Sequence, residues 1–342
     1  MADKPARRAL VTGCCGFIGS HLASSLLEAG WHVDGVDDMS RGNVSNVEHL
    51  RGRFGLRVVP VMLVPSFERS YEKSAPAQFL VFEGDFCSPA VLRRVVAGYY
   101  DVIFHLAAEP SVEISVNDPA GTSFNNLQKS TELMSASVGA VNRFVFASSA
   151  AVYGAQEQMP ISEEFAPCPE SPYALQKLQV EETGELFSRL YGLDFIALRM
   201  FNVYGPRQAG SSPYSTVVAS WCDKLKNNKP LRLDGDGTQS RDLIYVADVC
   251  SAFLSAARPA EMPGFHIFNV ATGVAHTNNY ILRQLKGWWP QLKVNRAPPR
   301  KGDVKHSVAS IDKIVSSLDF SCSVDLLEGL NLTLKSHDLL SD

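Results

Sequence analysis

Three glycines in Gly13-Cys14-Cys15-Gly16-Phe17-Ile18-Gly19 separate a short apolar run, Arg8 to Thr12, from a helix-like stretch, Ser20 to Gly30, that stops on a glycine. Such a triplet between strand and helix has a physical use. Gly13 permits a tight turn, Gly16 lets a pyrophosphate approach the backbone, and Gly19 lets helix and strand pack closely. The helix amino terminus then meets the phosphates. A merely tight strand–helix turn is the plainer alternative, but the context favours nucleotide binding.

The next run, Trp31 to Val36, reads as a second strand and ends at Asp37-Asp38. An acid about 20 residues beyond such glycines is placed to bond a ribose 2′-hydroxyl. Asp37 would repel a 2′-phosphate, which favours NAD over NADP; Arg41 pulls weakly the other way. Residues 40–80 are expected to be a loop or helical excursion. Phe79 to Asp85 and Asp101 to Ala108 are further strand-like runs. Asp85 could hold an adenine amino group or cap a helix starting near Pro89; Phe86 stands with it among the cofactor-binding candidates. Small residues at Leu106-Ala107-Ala108 leave room for a ligand at the carboxyl edge of a sheet, while His105 reads as structural. A helix is expected over 119–139, and the strand Phe144 to Ala147 ends in Ser148-Ser149.

Tyr173-Ala174-Leu175-Gln176-Lys177 follows Pro-Glu-Ser-Pro at the head of a helix-like run. Four residues apart, the phenol and the ammonium leave the same helix face. An adjacent ammonium lowers a Tyr pKa and makes a general base usable near neutral pH. Alone, this spacing also fits a solvated helix face. Phe195 to Asn202 is one more strand, and the repeated alternation of strands and helices argues an α/β, parallel, doubly wound sheet.

From about residue 203 the texture changes to Pro, Gly and Ser loops with short helices. We expect a first domain over 1–202, to which 240–270 partly returns, and a smaller one over 203–342. A chain of 342 residues, 45% hydrophobic, suits one large or two joined domains. The net charge of −4 and the absence of a polybasic tract argue against nucleic acid or an anionic membrane. Residues 1–8 lack a signal-peptide apolar region, and no apolar run reaches the roughly 18 residues of a membrane span. Seven cysteines, with Cys14 and Cys15 adjacent, show no metal spacing and read as reduced thiols of a cytosolic protein.

Together, Thr12-Gly13-x-x-Gly16-Phe17-Ile18-Gly19, Asp37, His105-Leu106-Ala107-Ala108, Ser149, Tyr173 and Lys177 resemble the extended short-chain dehydrogenase/reductase superfamily. Arg199 to Gln208, Gly235 to Asp242 and Arg300-Lys301-Gly302-Asp303 are similar to the nucleotide-sugar 4-epimerases of the UDP-glucose and UDP-N-acetylglucosamine type. The resemblance implies a Rossmann-type sheet with a smaller α/β substrate-binding C-terminal domain, bound NAD with Phe17, Ile18, Leu106, Tyr173 and Lys177 among its contacts, and a UDP-sugar substrate. It implies Tyr173 as base, Lys177 lowering its pKa, and Ser149 on the sugar C4 oxygen. It further implies Asn202 on a phosphate oxygen or the sugar, Arg241 and Arg300 on the diphosphate, Asp303 on the uridine ribose, and Tyr214 near the sugar with Ser211 and Ser212. Ala150-Ala151 stand where related dehydratases carry an Asp-Glu pair, so elimination is poorly served. Ser307 falls at the sugar gate, where a small side chain leaves room for a 2-acetamido group. The expected reaction is therefore interconversion of UDP-GlcNAc and UDP-GalNAc, with UDP-Glc/UDP-Gal also open. The alternatives are UDP-glucuronate 4-epimerisation, dehydration or decarboxylation, and a catalytically silent NAD sensor. Where many hexose epimerases carry Lys, this chain has Glu109, expected to point away or touch the sugar amide. Family members are usually homodimers built on two helices per subunit, here near 119–139 and 173–191.

Overall fold

The computed structural model describes residues 7–63, 77–210, 216–258, 262–299 and 304–341. The chain divides into two compact units. The first is Met1–Val152, Pro169–Leu198 and Phe253–Ile267; the second is Tyr153–Cys168, Arg199–Ala252 and Phe268–Asp342. Residues 153–168 thus group with the second unit, and only 253–267 of the 240–270 stretch return to the first.

The strands in chain order are β1 Arg8–Thr12, β2 His32–Asp37, β3 Arg57–Pro60, β4 Phe79–Glu83, β5 Val102–His105, β6 Arg143–Ser149, β7 Phe195–Met200, β8 Asn202–Tyr204, β9 Leu231–Asp234, β10 Ser240–Tyr245, β11 Phe265–Val270, β12 Ala275–Thr277, β13 Val294–Ala297 and β14 His306–Ser307. Eight of them form one sheet in the order β11-β7-β6-β5-β1-β2-β4-β3. β1 pairs in parallel with β2 on one side and β5 on the other. The strand order therefore reverses at β1, and the carboxyl ends of β1, β2 and β5 frame a crevice where ligands of such sheets bind.

Apolar strands with short polar breaks are buried on both faces, as a parallel sheet requires. On one face Leu10, Ile103, Phe144, Phe146 and Phe195 pack with Leu133, Met134 and Val180 of the helices Lys129–Ser137 and Pro172–Tyr191. On the other, Phe104 meets Trp31 and Phe253 edge-on, with ring centroids 6.2 Å apart in each pair.

Two stretches differ from the sequence expectation. The helix expected over 119–139 is a chain of pieces, Pro119–Ser123, a π-helical turn Phe124–Gln128 and Lys129–Ser137. Within 40–80, β3 adds an edge strand beside β4. In the second unit β10 is central, antiparallel to β12 and parallel to β14 and β8, while β9 pairs with β13. Among the described residues no helix is long and apolar enough to cross a membrane.

Candidate active site

The glycine turn is built as its sequence requires. Gly13 sits at φ +70°, a conformation glycine adopts without strain, and its N–H donates to the Val36 carbonyl at 2.8 Å. A Cβ there would lie 3.0 Å from the Ala107 nitrogen. On Gly19 it would lie 2.0 Å from the Gly13 carbonyl oxygen. The turn is thus wedged between helix and β5 with no room for a side chain. The helix Phe17–Glu28 starts at Gly16 with no side-chain cap and no acid in its first turn, so its amino-terminal N–H groups and positive dipole end suit an anion. Phe17 and Ile18 form that first turn.

Thr12, named in the sequence motif without a role of its own, ties the crevice together. Its hydroxyl oxygen accepts from the N–H groups of Leu106 and Ala107 at 3.1 and 3.0 Å, and it bonds His105 Nδ1 at 2.7 Å. On the far side, His105 Nε2 lies 2.7 Å from Ser130 Oγ, whose proton goes to the Asn126 carbonyl. Nε2 therefore carries the imidazole proton. Burial, helped by the charge of Lys177, pushes the His105 pKa down to about 3. His105 is a neutral strut, in keeping with the structural role read from the sequence.

Asp37 ends β2 with its carboxylate accepting from the N–H groups of Cys15 and Met39 at 2.8 and 2.9 Å. Burial raises its pKa against these bonds. The donor atoms of Cys14, Cys15 and Asp37 lie within 4.8 Å of one another; burial holds the Cys14 thiol well above its usual range. Asp85 accepts from the Cys87 N–H at 2.9 Å and pairs with Lys129 at 2.8 Å. The cap position of the helix Pro89–Val96 falls to Ser88 instead. Phe86 is buried edge-on against His105, centroids 5.0 Å apart. Glu109 has protein partners: Arg41 donates to its Oε2 at 2.7 and 2.9 Å, and the Ser111 N–H to its Oε1 at 3.0 Å.

The helix Pro172–Tyr191 carries Tyr173 and Lys177. Ser171 caps it by accepting from the Ala174 N–H, Pro172 opens the first turn, and Gly192 closes it at φ +69°. Tyr173, half-buried, shares a hydrogen bond with Ser149 at the end of β6. Lys177 is buried and donates to the Ala147 carbonyl at 2.8 Å, its Nζ 4.6 Å from the centre of the Phe146 ring and 5.8 Å from that of Tyr173. The structure thus brings Ser149, Tyr173 and Lys177 together beside the glycine turn's own sheet.

Their electrostatics differ from the sequence expectation. Burial pushes the Tyr173 phenol up, and the Ser149 hydroxyl partly opposes this. Burial brings Lys177 down to about 7, against the pull of Glu181. Glu181, a residue the sequence reading missed, bonds the Ser148 hydroxyl in the interior. Its signal was its place four residues beyond Lys177. Gln176 links the same helix to Asn126 at 2.8 Å and Thr122 at 3.0 Å, and Asn126 in turn holds the backbone of Glu109.

In the second unit, one small sheet gathers three expected substrate residues. Arg241 of β10 is register partner of Ser307 on β14, and Asn202 of β8 pairs with Leu243 of β10. Arg241 donates to the Ser240 carbonyl at 2.9 Å, while the neighbouring Asp242 is buried and accepts from Thr272, Gly273 and Ala309. Asp242 is thus a strut of this unit. Tyr214, Arg300 and Asp303, with Ser211 and Ser212, lie outside the described residues.

The first unit offers what a dinucleotide needs: an uncapped helix terminus, a turn stripped of side chains, and a carboxylate at the end of the second strand. The model of the NAD-dependent epimerase/dehydratase family matches residues 9–271. The UDP-glucose 4-epimerase of Mycolicibacterium smegmatis is 32% identical over 96% of this chain and 97% of its own. A UDP-N-acetylglucosamine 4-epimerase from Methanobrevibacter ruminantium, solved with UDP-N-acetylmuramic acid, superposes with TM-score 0.84 at 32% identity, covering 97% of this chain and 98% of that one. A UDP-glucuronic acid 4-epimerase from Bacillus cereus, solved with its UDP-sugar and NAD, gives TM-score 0.81 at 26% identity over 97% and 99%. Motif, crevice and kinship agree: the chain belongs to the NAD-dependent epimerase/dehydratase family, and NAD is its cofactor.

Proposed function

We propose that this protein is a UDP-sugar 4-epimerase acting on UDP-GlcNAc and UDP-GalNAc. The observation that carries the reading is the convergence of Ser149, Tyr173 and Lys177 at the carboxyl end of β6, in the sheet that carries the glycine turn, with Ala150-Ala151 following Ser149 in place of an acid. Bound NAD supplies the hydride acceptor and donor for sugar C4. Tyr173 takes the proton of the C4 hydroxyl and later returns it. Ser149 holds the C4 oxygen and, by bonding the phenol oxygen, favours the phenolate. Lys177, when protonated, adds positive charge beside that phenolate. A 4-keto sugar that turned over in the pocket would be open to hydride return on its other face. Asn202, Arg241, Arg300 and Asp303 take the diphosphate and uridine, since guanidinium forks match phosphate oxygens.

Ser307 supports the N-acetylhexosamine preference, because a small gate residue admits an acetamido group. UDP-glucuronate is the second reading, favoured by the likeness to the Bacillus cereus enzyme. The test is incubation with UDP-GlcNAc, UDP-GalNAc, UDP-Glc and UDP-GlcA separately, followed by separation of products. Interconversion of the two N-acetylhexosamines is expected; conversion of none of the four would sink the proposal.

The enzyme works as a homodimer in the cytosol. Seven free thiols suit a reducing compartment. Leu175, Leu186 and Leu190 are 44%, 40% and 58% exposed on the helix Pro172–Tyr191, an apolar stripe at helical spacing. A second copy of this chain would bury it.

A further inference from the structure

Arg41 lies four residues past Asp37, in the segment leaving β2, and Glu109 lies in the segment leaving β5. Those two strands flank β1 on opposite sides, so their carboxyl-end segments border the cofactor crevice from its two sides. Arg41 reaches across 68 residues of sequence to place two guanidinium nitrogens on the one Glu109 oxygen. Glu109 is no casual partner. Its other carboxylate oxygen accepts from the Ser111 N–H, and its backbone N–H and carbonyl are both held by the Asn126 amide at 2.7 and 3.1 Å.

An arginine shortly beyond the second strand is the residue type that takes a 2′-phosphate in dinucleotide folds that use NADP. A fork committed to a carboxylate has fewer donors left for a phosphate, and the carboxylate cancels the positive charge that would draw it. Asp37 alone disfavours a 2′-phosphate; a cation four residues away would offset that. We propose that Glu109 is a cofactor-specificity residue: by holding Arg41 it keeps that guanidinium from serving a 2′-phosphate, and so makes the site selective for NAD over NADP. Glu109 acts here through Arg41 and is a positioning residue. Its position in the sequence gives no hint of this, because the pair forms only when β2 and β5 stand on either side of β1.

The test is nucleotide affinity and does not depend on which sugar is turned over. NADH and NADPH are titrated separately, by fluorescence, into the full-length chain after bound nucleotide is removed. This is done for the wild type, Glu109→Gln, Arg41→Ala and the double variant. Glu109→Gln keeps the shape and the Ser111 bond while removing the charge. It should narrow the preference for NADH over NADPH by about tenfold or more, mainly by tighter NADPH binding. In the Arg41→Ala background the same change should alter the preference by less than twofold, because the partner through which it acts is gone. Two results would overturn the inference: an unchanged preference in Glu109→Gln, or an equal change with and without Arg41. Arg41 is exposed, so Arg41→Ala folds without loss of packing; a preference that moves toward NADPH in this variant alone would count against the inference as well.

Discussion

At the scale of single residues, the site is a set of buried polar groups whose ionisation is set by packing. Tyr173→Phe removes the hydroxyl proposed to carry the proton but leaves the ring in place. Turnover should fall by about 10²- to 10⁴-fold, the usual range for a positioned acid–base group, with cofactor content and melting temperature unchanged. Ser307→Tyr puts a bulky ring at the proposed gate. It should abolish conversion of UDP-GlcNAc and spare UDP-Glc, as read by product separation with each sugar. His105 makes a different kind of prediction. In the folded chain it titrates near 3, in the unfolded chain near its ordinary value of 6.5. Between those values the unfolded state binds a proton that the native state refuses, so His105 favours the native state above pH 6.5 and loses that contribution as pH falls toward 3. The slope amounts to about 1.4 kcal/mol per pH unit at most. His105→Asn should lower stability at pH 7, where the Thr12 and Ser130 bonds are lost, yet show a shallower fall in melting temperature between pH 6.5 and 4.5 by calorimetry. Residue types alone did not reveal these ionisations. The Tyr173–Lys177 spacing was visible, but that Lys177 would be desolvated beneath Phe146 depends on a strand 30 residues earlier.

At the scale of elements, the glycine turn was the most legible part, because its requirements are local. A turn at positive φ, an uncapped helix start and a helix pressed on a strand leave few residue choices. Gly19→Ala tests this unit. Its Cβ would fall 2.0 Å from the Gly13 carbonyl oxygen, so turn and helix must part. Purified Gly19→Ala protein should carry little bound NAD by absorbance and be about 1–3 kcal/mol less stable by denaturant titration. Other elements were hard to read for physical reasons. β3 is an edge strand of four residues, RVVP, half-exposed at its centre and exposed at both ends. It has neither the alternation nor the apolar run that marks a strand. The break at Phe124–Gln128 lies inside a good helical pattern, and no proline or glycine announces a π turn. The Arg41–Glu109 and Ser148–Glu181 contacts join segments that periodicity treats as independent. Sequence patterns report what each segment needs, and these pairs exist only because the sheet order brings the segments side by side.

At the scale of the whole molecule, the exposed leucines of the helix Pro172–Tyr191 bear on assembly. Leu186→Lys with Leu190→Lys leaves the core of the first unit intact, since both side chains are exposed. Light scattering should find a dimer in the wild type and a monomer in the double variant; identical masses would remove these leucines from the interface. The division of the chain carries one more consequence. It passes between the two units after Val152, Cys168, Leu198, Ala252 and Ile267, and the last strand of the large sheet, β11, runs only from Phe265 to Val270. During synthesis the ribosome must deliver nearly 270 residues before that sheet can take its final strand. At about 5–20 residues per second, β7 would wait several seconds with its pairing edge open after it emerges. The nascent chain is therefore a natural client for chaperones over that interval, and a gene fragment ending near residue 250 should yield protein that aggregates, however complete its nucleotide-binding motif.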